Sequence, residues 1–228
     1  MLTIEKLQSG YGKKHIIHDL TMRIDAGEVV SLLGRNGMGK TTSLRTIMGL
    51  TRAWDGTVVF GGRPITHESP NAISRYGIGY VPEGRGIFAN LTVRENLIMA
   101  ARPGRWTLDR VFDMFPRLRE RHTNWGHQLS GGEQQMLSIG RALMLNPKLM
   151  LLDEATEGLA PLVQQEIWQC LRVISGDGIA ILVVDKNIRA LLPLAGRHYI
   201  IQKGTICWTG TSVELQANRA ALDRYITL

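Results

Sequence analysis

The order of apolar and polar residues changes character along this chain. Near the N-terminus the two kinds alternate, over residues 2–7 and again over 21–24, which is typical of half-buried β-strands. Turn-forming residues occupy 9–12, 25–27 and 54–56, and a further strand is predicted over 57–60. The N-terminal part is therefore predicted to be rich in β-structure.

An apolar-rich run covers residues 29–33, and continuous apolar runs cover 149–152 and 179–184. Runs without alternation fit parallel strands that are buried on both faces. After Pro161, which suits the first turn of a helix, apolar side chains recur at helical spacing. They are Val163, Ile167, Cys170, Leu171 and Ile174. A hairpin is predicted over 199–208, with a short helix after it.

Residues 71–146 have a mainly helical pattern. We interpret them as a helical subdomain inserted into a core that consists of residues 1–70 and 147–228. Its predicted elements are a strand over 78–83 and helices over 93–101, 108–121 and 133–145. Its arginines are predicted to lie on a face exposed to solvent; the alternative is that they contact lipid or another subunit. They are Arg94, Arg102, Arg105, Arg110, Arg117, Arg119 and Arg121.

A glycine-rich loop fills every fixed position of the pattern G-x-x-x-x-G-K-[ST]. It consists of Gly34, Arg35, Asn36, Gly37, Met38, Gly39, Lys40, Thr41 and Thr42. The loop lies between the apolar run 29–33 and a helix predicted over 41–48. Glycines let backbone N–H groups approach a triphosphate, and the helix N-terminus adds partial positive charge. We predict that Lys40 binds the β- and γ-phosphates and that Thr41 offers its hydroxyl to Mg²⁺; the alternative is a glycine-rich tight turn.

Two acids, Asp153 and Glu154, follow the apolar run 149–152. An acid at a strand end can hold the ligand shell of Mg²⁺, directly or through water. An adjacent acid can orient and polarise an attacking water. We therefore predict that Asp153 is the metal-side carboxylate and Glu154 the catalytic one. The alternative is a surface acid pair at the start of a turn.

Residues 129–135 read Leu-Ser-Gly-Gly-Glu-Gln-Gln, a segment called the signature segment below. Ser130 and Glu133 form an S-x-x-E capping box at the start of a predicted helix. Gly131 and Gly132 leave backbone N–H groups open to an anion. A capping box alone marks an ordinary helix start, whereas the whole heptapeptide is far more specific.

Composition narrows the class of protein. A length of 228 residues suits one large domain or a domain with an insert. The net charge of +7 fits an anionic ligand, an anionic membrane surface or nucleic acid, but no basic patch interleaved with aromatics favours nucleic acid. Neither a long apolar run nor a signal-peptide pattern is present. Cys170 and Cys207 lie far apart and are predicted to be buried, reduced thiols.

The phosphate loop, the signature segment and the strand ending in Asp153 and Glu154 together resemble the nucleotide-binding subunit of ATP-binding cassette (ABC) transporters. The resemblance covers essentially the whole chain. Residues 81–88, 91–97 and 157–161 resemble the ATPase subunits of branched-chain amino acid importers, the LivF-like type. This resemblance implies an α/β fold, a P-loop NTPase with a RecA-like parallel-sheet core, an N-terminal antiparallel β-subdomain and an inserted α-helical subdomain. It also implies a single ABC ATPase domain over residues 1–228.

The resemblance implies roles for the matching positions. Tyr11 would stack on adenine, although a lone aromatic residue in a turn is the plainer interpretation. Glu83 would lie in the loop that senses Mg²⁺ and contacts the membrane subunits, and residues 157–161 would link the two ATP sites of a dimer. The γ-phosphate held by the partner ATPase would be bound by Ser130, Gly131, Gly132 and Glu133.

Three positions depart from the family pattern. Glu83 stands where the family usually has Gln, a replacement that the LivF-like branch tolerates. Ala155 replaces the Pro that usually follows the acid pair. Lys186 stands where a switch His follows the run 179–184. Lysine brings a positive charge and three donors but no acceptor. We expect Lys186 to bind the γ-phosphate, to pair with Glu154 when ATP is absent and to leave hydrolysis slow; the alternative is a lysine that points to solvent.

The sequence thus predicts an ATPase that binds ATP and Mg²⁺ as a head-to-tail dimer. The expected partners are a second ABC ATPase subunit, identical or related, two transmembrane permease subunits and, indirectly, a periplasmic or extracellular solute-binding protein, with no nucleic acid. We expect a cytoplasmic protein, peripheral on the inner face of the cell membrane, that powers uptake of branched-chain amino acids or a similar small solute. The alternatives are a low-turnover regulatory ABC subunit and a non-transport ABC ATPase, whose tandem cassettes or long coiled-coil insertions 228 residues do not hold.

Overall fold

A computed structural model describes residues 1–218. Within them the chain forms ten strands that share one sheet. The strands are β1 (Leu2–Tyr11), β2 (Lys14–Ile24), β3 (Val29–Leu33), β4 (Ala53–Phe60), β5 (Arg63–Pro64), β6 (Ile78–Val81), β7 (Leu149–Asp153), β8 (Ala180–Val184), β9 (Arg197–Gln202) and β10 (Thr205–Thr211). The helices are α1 (Lys40–Ile47), α2 (Pro70–Tyr76), α3 (Val93–Ile98), α4 (Leu108–Met114), α5 (Pro116–Glu120), α6 (Gly131–Leu143), α7 (Pro161–Gly176), α8 (Ile188–Leu191) and α9 (Ser212–Ala217).

The sheet has an antiparallel half and a mainly parallel half. Its strand order is β5-β4-β1-β2-β10-β9-β3-β8-β7-β6. Strands β3, β8, β7 and β6 run parallel to their neighbours, and β9 is also parallel to β3. The two halves meet where β10 pairs with β2 at Thr205 and Asp19. The predicted α/β fold, with a parallel core and an N-terminal antiparallel part, is confirmed.

Strand β3 shows why the apolar runs predict buried parallel strands. Its five residues are all buried. Val29 and Leu33 face a core shared with α4 to α7, whereas Val30 and Leu32 face a second core shared with α1 and the antiparallel strands. A strand covered on both faces needs no polar side and so reads as a continuous apolar run. This packing fixes the strand that leads into the phosphate loop.

A buried polar chain joins β3 to the end of the described fold. The hydroxyl of Ser31 lies 2.6 Å from Nδ1 of His198 on β9, and Nε2 of His198 lies 2.8 Å from the hydroxyl of Ser212. Ser212 donates to the carbonyl of Leu192 at 2.8 Å. His198 is fully buried, and burial lowers its pKa to about 4. The imidazole is therefore neutral at physiological pH.

The region predicted to be a helical insert contains one strand of the core. Strand β6 lies within residues 71–146, and it pairs in parallel with β7 from Ile78 to Val81. Helices α3, α4, α5 and α6 follow it; α3 and α5 pack against α6, and α4 packs against α5. The division into a core and a helical subdomain stays a prediction, with β6 placed in the sheet.

The turn predicted over 54–56 is part of a strand, and the turn predicted over 9–12 is shifted, because 9–11 belong to β1 and the chain reverses at 12–13. Residues 54–56 lie inside β4, where Gly56 has φ of 83° opposite a register shift in β1. A Cβ atom at Gly56 would lie 2.4 Å from the carbonyl oxygen of Lys6. Gly10 similarly faces the carbonyl of Lys14 and belongs to β1. Both glycines permit close approach of strands at bulges, and only at Gly56 does the strand continue where the sequence pattern suggested a chain reversal.

The helix predicted over 108–121 is two helices. Helix α4 ends at Met114, and α5 begins at Pro116. Proline lacks the N–H that would continue the helix, and it forces Phe115 out of the helical conformation, at φ −125° and ψ 75°. The prediction of one continuous helix was therefore wrong.

The two cysteines differ in exposure. Cys170 is buried in α7, where burial strongly raises its pKa. Cys207 on β10 is exposed, because the side chains of this strand alternate between the two faces of the sheet. The prediction of two buried thiols is correct for Cys170 and wrong for Cys207.

Candidate nucleotide-binding site

The phosphate loop follows from the end of β3 and the start of α1. Three of its glycines have positive φ, at 151° for Gly34, 77° for Gly37 and 108° for Gly39. A Cβ atom at Gly34 would lie 2.5 Å from the carbonyl oxygen of Ile201 on β9. The loop can therefore lie close against the sheet, because these positions have backbone conformations or contacts that favour glycine. Its curvature leaves backbone N–H groups free to face an anion.

Lys40 lies at the start of α1 and is 6% exposed. Its Nζ donates to the carbonyl oxygens of Gly34 at 2.8 Å and Arg35 at 3.1 Å. Burial lowers the pKa of this ammonium, and the nearby Glu154 carboxylate partly offsets that effect. The phosphate loop therefore carries a cation that its own backbone holds across the loop.

A group of oxygen atoms lies beside the loop. The Thr41 hydroxyl donates to Oδ1 of Asp153 at 3.1 Å, and the Tyr80 hydroxyl donates to Oδ2 at 3.2 Å. Asp153 is fully buried, and burial raises its pKa although these two hydrogen bonds act in the opposite direction. Hydroxyl and carboxylate oxygens are the ligands that Mg²⁺ prefers, together with phosphate oxygens. The donor set therefore fits a magnesium–nucleotide complex.

Glu154 follows Asp153 with φ of 49°, a left-handed conformation that turns its side chain towards the loop. Its backbone N–H donates to the Val184 carbonyl at 2.8 Å, so the end of β7 is tied to the end of β8. The Glu154 side chain is 11% exposed. Burial, followed by a hydrogen bond with Glu157, raises the pKa of its carboxyl to about 7. A carboxyl with this pKa suits a general base near neutral pH.

Lys186 enters the same region from the end of β8. Its Nζ lies 2.6 Å from Oε1 of Glu157 and 3.8 Å from Oε2 of Glu154. The hydrogen bond with Glu157 raises the pKa of Lys186, opposing the effect of burial. The expected pairing of Lys186 with Glu154 is therefore present, although the shorter contact is with Glu157.

Most of these groups line one cavity of about 390 Å³, whereas the buried Asp153 and its partner Tyr80 are not among the described residues that line it. Predicted site residues that line it are Asn36, Gly37, Gly39, Lys40, Thr41, Thr42, Glu83, Glu154 and Lys186. Two residues of β2, Lys14 and Ile16, also line it, as does Glu157. Sequence patterns did not single out Lys14 and Ile16, because they enter from a neighbouring strand whose approach depends on the folded sheet.

Met38 and Tyr11 lie outside the residues that line this cavity. The Met38 carbonyl accepts from the Gly204 N–H at 3.1 Å, which ties the loop to the hairpin of β9 and β10. Tyr11 ends β1 and is 46% exposed. Its pKa is lowered: burial acts to raise it, but hydrogen bonds with Thr42 and Thr51 outweigh that effect. Tyr11 therefore rests against the loop end of α1, and its stacking on adenine stays a prediction.

The signature segment forms the start of α6 as predicted. The Ser130 side chain accepts from the Glu133 N–H at 3.4 Å, and the Glu133 side chain accepts from the Ser130 N–H at 2.8 Å. Arg121 holds the other oxygen of Glu133 at 2.8 Å. Gly131 and Gly132 permit close packing by Arg85 and Val163. None of the signature residues is among the described residues that line the 390 Å³ cavity.

The arginines of the helical region are mostly engaged by acids or backbone carbonyls. Arg105 and Arg110 both pair with Asp177, which lies just beyond α7. Arg117 pairs with Glu166 and Arg119 with Asp113. These contacts tie α4 and α5 to one another and to the α7 region. The predicted solvated face is thus largely an ion-paired one.

The fold and the site together define a nucleotide-binding ATPase cassette. A family model described as "ABC transporter" matches residues 17–157. That span contains the phosphate loop, the signature segment and both strand-end acids, whereas Tyr11 and Lys186 lie outside it. Because the match covers more than half of the chain, the protein belongs to the ABC transporter family, whose cassettes are ATPases.

Similar proteins support this assignment over the whole chain. The chain is 39% identical to the high-affinity branched-chain amino acid transport ATP-binding protein BraG of Pseudomonas aeruginosa, with 99% of each chain covered. It is 34% identical to the lipopolysaccharide export system ATP-binding protein LptB of Haemophilus influenzae, covering 99% of this chain and 97% of that protein. It is also 34% identical to the probable branched-chain amino acid transport ATP-binding protein LivF of Archaeoglobus fulgidus, covering 94% of each.

Solved structures share the fold. A nucleotide-free ATP-binding cassette from an ABC transporter superposes with a TM-score of 0.82 and 26% identity, covering 97% of this chain and 95% of that one. A dimeric cassette in a post-hydrolysis state with bound ADP and phosphate has a TM-score of 0.81 and 24% identity, covering 93% and 99%. No helix among residues 1–218 is long and apolar enough to cross a bilayer.

Proposed function

We propose that this chain is the ATP-hydrolysing subunit of an importer for branched-chain amino acids or a similar small solute. The observation that carries the ATPase assignment is the cavity in which Lys40, Thr41 and Glu154 face one another. Lys40 and the loop N–H groups would hold the phosphates, while Thr41 and Asp153 would supply oxygen ligands to Mg²⁺. The similarity to BraG and LivF supports the importer assignment.

Bound Mg²⁺ would neutralise charge on the β- and γ-phosphates. Glu154, whose pKa near 7 leaves much of it ionised at neutral pH, would accept a proton from a water placed beside the γ-phosphate. Lys186 would offset negative charge on the γ-phosphate from the end of the adjacent strand β8. Glu83 lies exposed at the rim of the cavity, where it can contact both the site and another subunit.

The proposed dimer is head-to-tail, with each ATP between one phosphate loop and the signature segment of the other subunit. Ser130 is exposed and its helix start lies away from the residues that line this chain's own phosphate cavity. The N–H groups at the start of α6 therefore suit a phosphate that another molecule holds. A cassette of the same fold has been solved as a dimer with ADP and phosphate.

The first test measures ATP hydrolysis by the unmodified chain and by the Glu154→Gln variant, each together with the expected membrane subunits. Gln keeps the shape of the side chain but cannot accept a proton, so hydrolysis should fall by about 10²- to 10⁴-fold while ATP still binds. The matched control is Glu166→Gln, which removes a carboxylate from the exposed pair with Arg117 on α7. Near-normal turnover by Glu154→Gln would contradict the assignment of this carboxylate.

The second test concerns the solute. Cells that lack this chain should lose uptake of labelled leucine, isoleucine and valine, and the chain should restore uptake whereas Lys40→Ala should not. Because relatives of the LptB type are 34% identical, export of lipopolysaccharide is the second candidate. A defect in lipopolysaccharide export with normal amino acid uptake would favour that candidate instead.

A further inference from the structure

The ion pair between Glu157 and Lys186 crosses the mouth of the phosphate cavity. Lys186 Nζ lies 2.6 Å from Oε1 of Glu157, and both side chains line the cavity that also contains Lys40 and Thr41. The two side chains are about half exposed, at 48% for Lys186 and 50% for Glu157. Neither is locked by surrounding packing, so both can change partners.

The backbone that carries this pair is held on both sides of Glu157. Asp185 accepts from the backbone N–H and the hydroxyl of Thr156, at 3.2 and 2.7 Å, so the loop after β7 is tied to the end of β8. Beyond Glu157, Gly158 has φ of 69° and open space around the position of a Cβ atom. The Gln164 side chain donates to the Leu159 carbonyl at 3.0 Å, so the backbone is held on both sides of the ion pair and a change of partner involves the two side chains.

Lys186 is shared between the Glu154 and Glu157 carboxylates in a cavity lined by charged side chains. The cations that line it are Lys14, Lys40 and Lys186, and the anions are Glu83, Glu154 and Glu157. Lys40 is held by two backbone carbonyls of the phosphate loop, whereas Lys186 is held only by carboxylates among its identified contacts. A phosphate bound at the loop would therefore draw Lys186 away from its carboxylate partners more readily than it would draw Lys40 away from the backbone.

We propose that the Glu157–Lys186 ion pair is a latch that competes with the γ-phosphate of a bound nucleotide for Lys186. This inference rests on the proposed function. A triphosphate draws Lys186 away from Glu157 and leaves the Glu157 carboxylate without its cation. A diphosphate lacks the group that competes, so the ion pair persists. Glu157 is thus a positioning residue that lets the chain distinguish ATP from ADP.

The test compares binding of Mg²⁺–AMP-PNP, a non-hydrolysable triphosphate analogue, with binding of Mg²⁺–ADP by calorimetric titration of the full chain. Glu157→Gln removes the competing carboxylate, so AMP-PNP should bind about two- to fivefold more tightly, the range that an exposed ion pair supplies. The affinity for ADP should not change. Asp113→Asn is the matched control, because Asp113 and Arg119 form an exposed pair of the same 2.6 Å length away from the cavity; neither affinity should change in it.

Repeating the measurement in a Lys186→Met variant distinguishes the latch from simple electrostatic repulsion between Glu157 and the nucleotide. In Lys186→Met the latch has no cation, so adding Glu157→Gln should no longer alter the affinity for AMP-PNP. Repulsion alone would make the effect of Glu157→Gln equal or larger in that background, and this result would overturn the latch. An equal change for both nucleotides, or no change, would also overturn it. Failure of the unmodified chain to bind either nucleotide would instead refute the proposed function.

Discussion

Because the imidazole of His198 is buried and neutral, the free energy of unfolding should decrease in mildly acidic solution. His198 lies between Ser31 and Ser212, has no exposed surface, and has a pKa lowered by burial to about 4. In the unfolded chain a histidine has a pKa of about 6.5. The unfolded state therefore binds a proton more readily between these two values. The stability that the neutral imidazole contributes is fully present above about pH 6.5 and is lost as the pH falls towards 4.

The size of the effect follows from the two pKa values. Lowering the pH from 7 to 5 should reduce the free energy of unfolding by about 2 kcal/mol through this one group, and the loss should level off near about 3 kcal/mol below pH 4. A loss of this size is a large part of the stability of an ordinary domain. It should therefore be measurable in a denaturation experiment.

Urea denaturation at pH 7, 6 and 5 measures the effect, with His198→Gln as the test variant. Gln cannot take up the proton, so its free energy of unfolding should fall less between pH 7 and 5, by about 2 kcal/mol, than that of the unmodified chain. His122→Gln is the control, because the His122 side chain is exposed, and its contacts are a hydrogen bond with the Arg119 carbonyl and an edge contact with the Phe112 ring. If His198→Gln and the unmodified chain lose stability in parallel, the neutral buried imidazole is refuted.

Three further predictions address the nucleotide site. Lys40→Ala should weaken binding of Mg²⁺–ATP by about tenfold or more, since it removes a charged donor, and unchanged affinity in a fluorescent-nucleotide titration would exclude this site. Ser130→Arg should leave ATP binding by the monomer nearly intact but block dimer closure and hydrolysis, as light scattering and turnover would show; loss of monomer binding would contradict the action across subunits. Lys186→His should raise steady-state hydrolysis without tightening ATP binding, because an imidazole can relay a proton whereas an ammonium on a flexible stem fixes geometry less well. Equal turnover in both proteins would remove Lys186 from the catalytic site.

Local signals in the sequence predict the parts of the site that lie close together along the chain. The strand over 29–33, the glycines after it and the helix after Lys40 form one continuous unit. The capping box of Ser130 and Glu133 is equally local, with both hydrogen bonds present. In each case the backbone conformation is set by residues within about one turn of one another.

Other features depend on which strands become neighbours. Glu157 and Lys186 are 29 positions apart and meet because β7 and β8 are adjacent parallel strands that end at the same edge. Lys14 and Ile16 enter the cavity from β2, and Gly56 permits a bulge only against β1. No local pattern encodes these pairings. The break at Pro116, in contrast, follows from the backbone restrictions of proline and could have been predicted.

The position of β3 in the sheet bears on how the chain is made. Residues 29–33 are synthesised early, yet the two strands that flank them in the sheet are β8 and β9, over 180–184 and 197–202. Pairings between such distant segments form late and slowly, and an unpaired apolar strand is prone to aggregate while it waits. A nascent chain that stops before residue 180 leaves this strand without either neighbour. The strand that leads into the phosphate loop therefore gains both of its neighbours in the sheet only after residues 180–202 have left the ribosome.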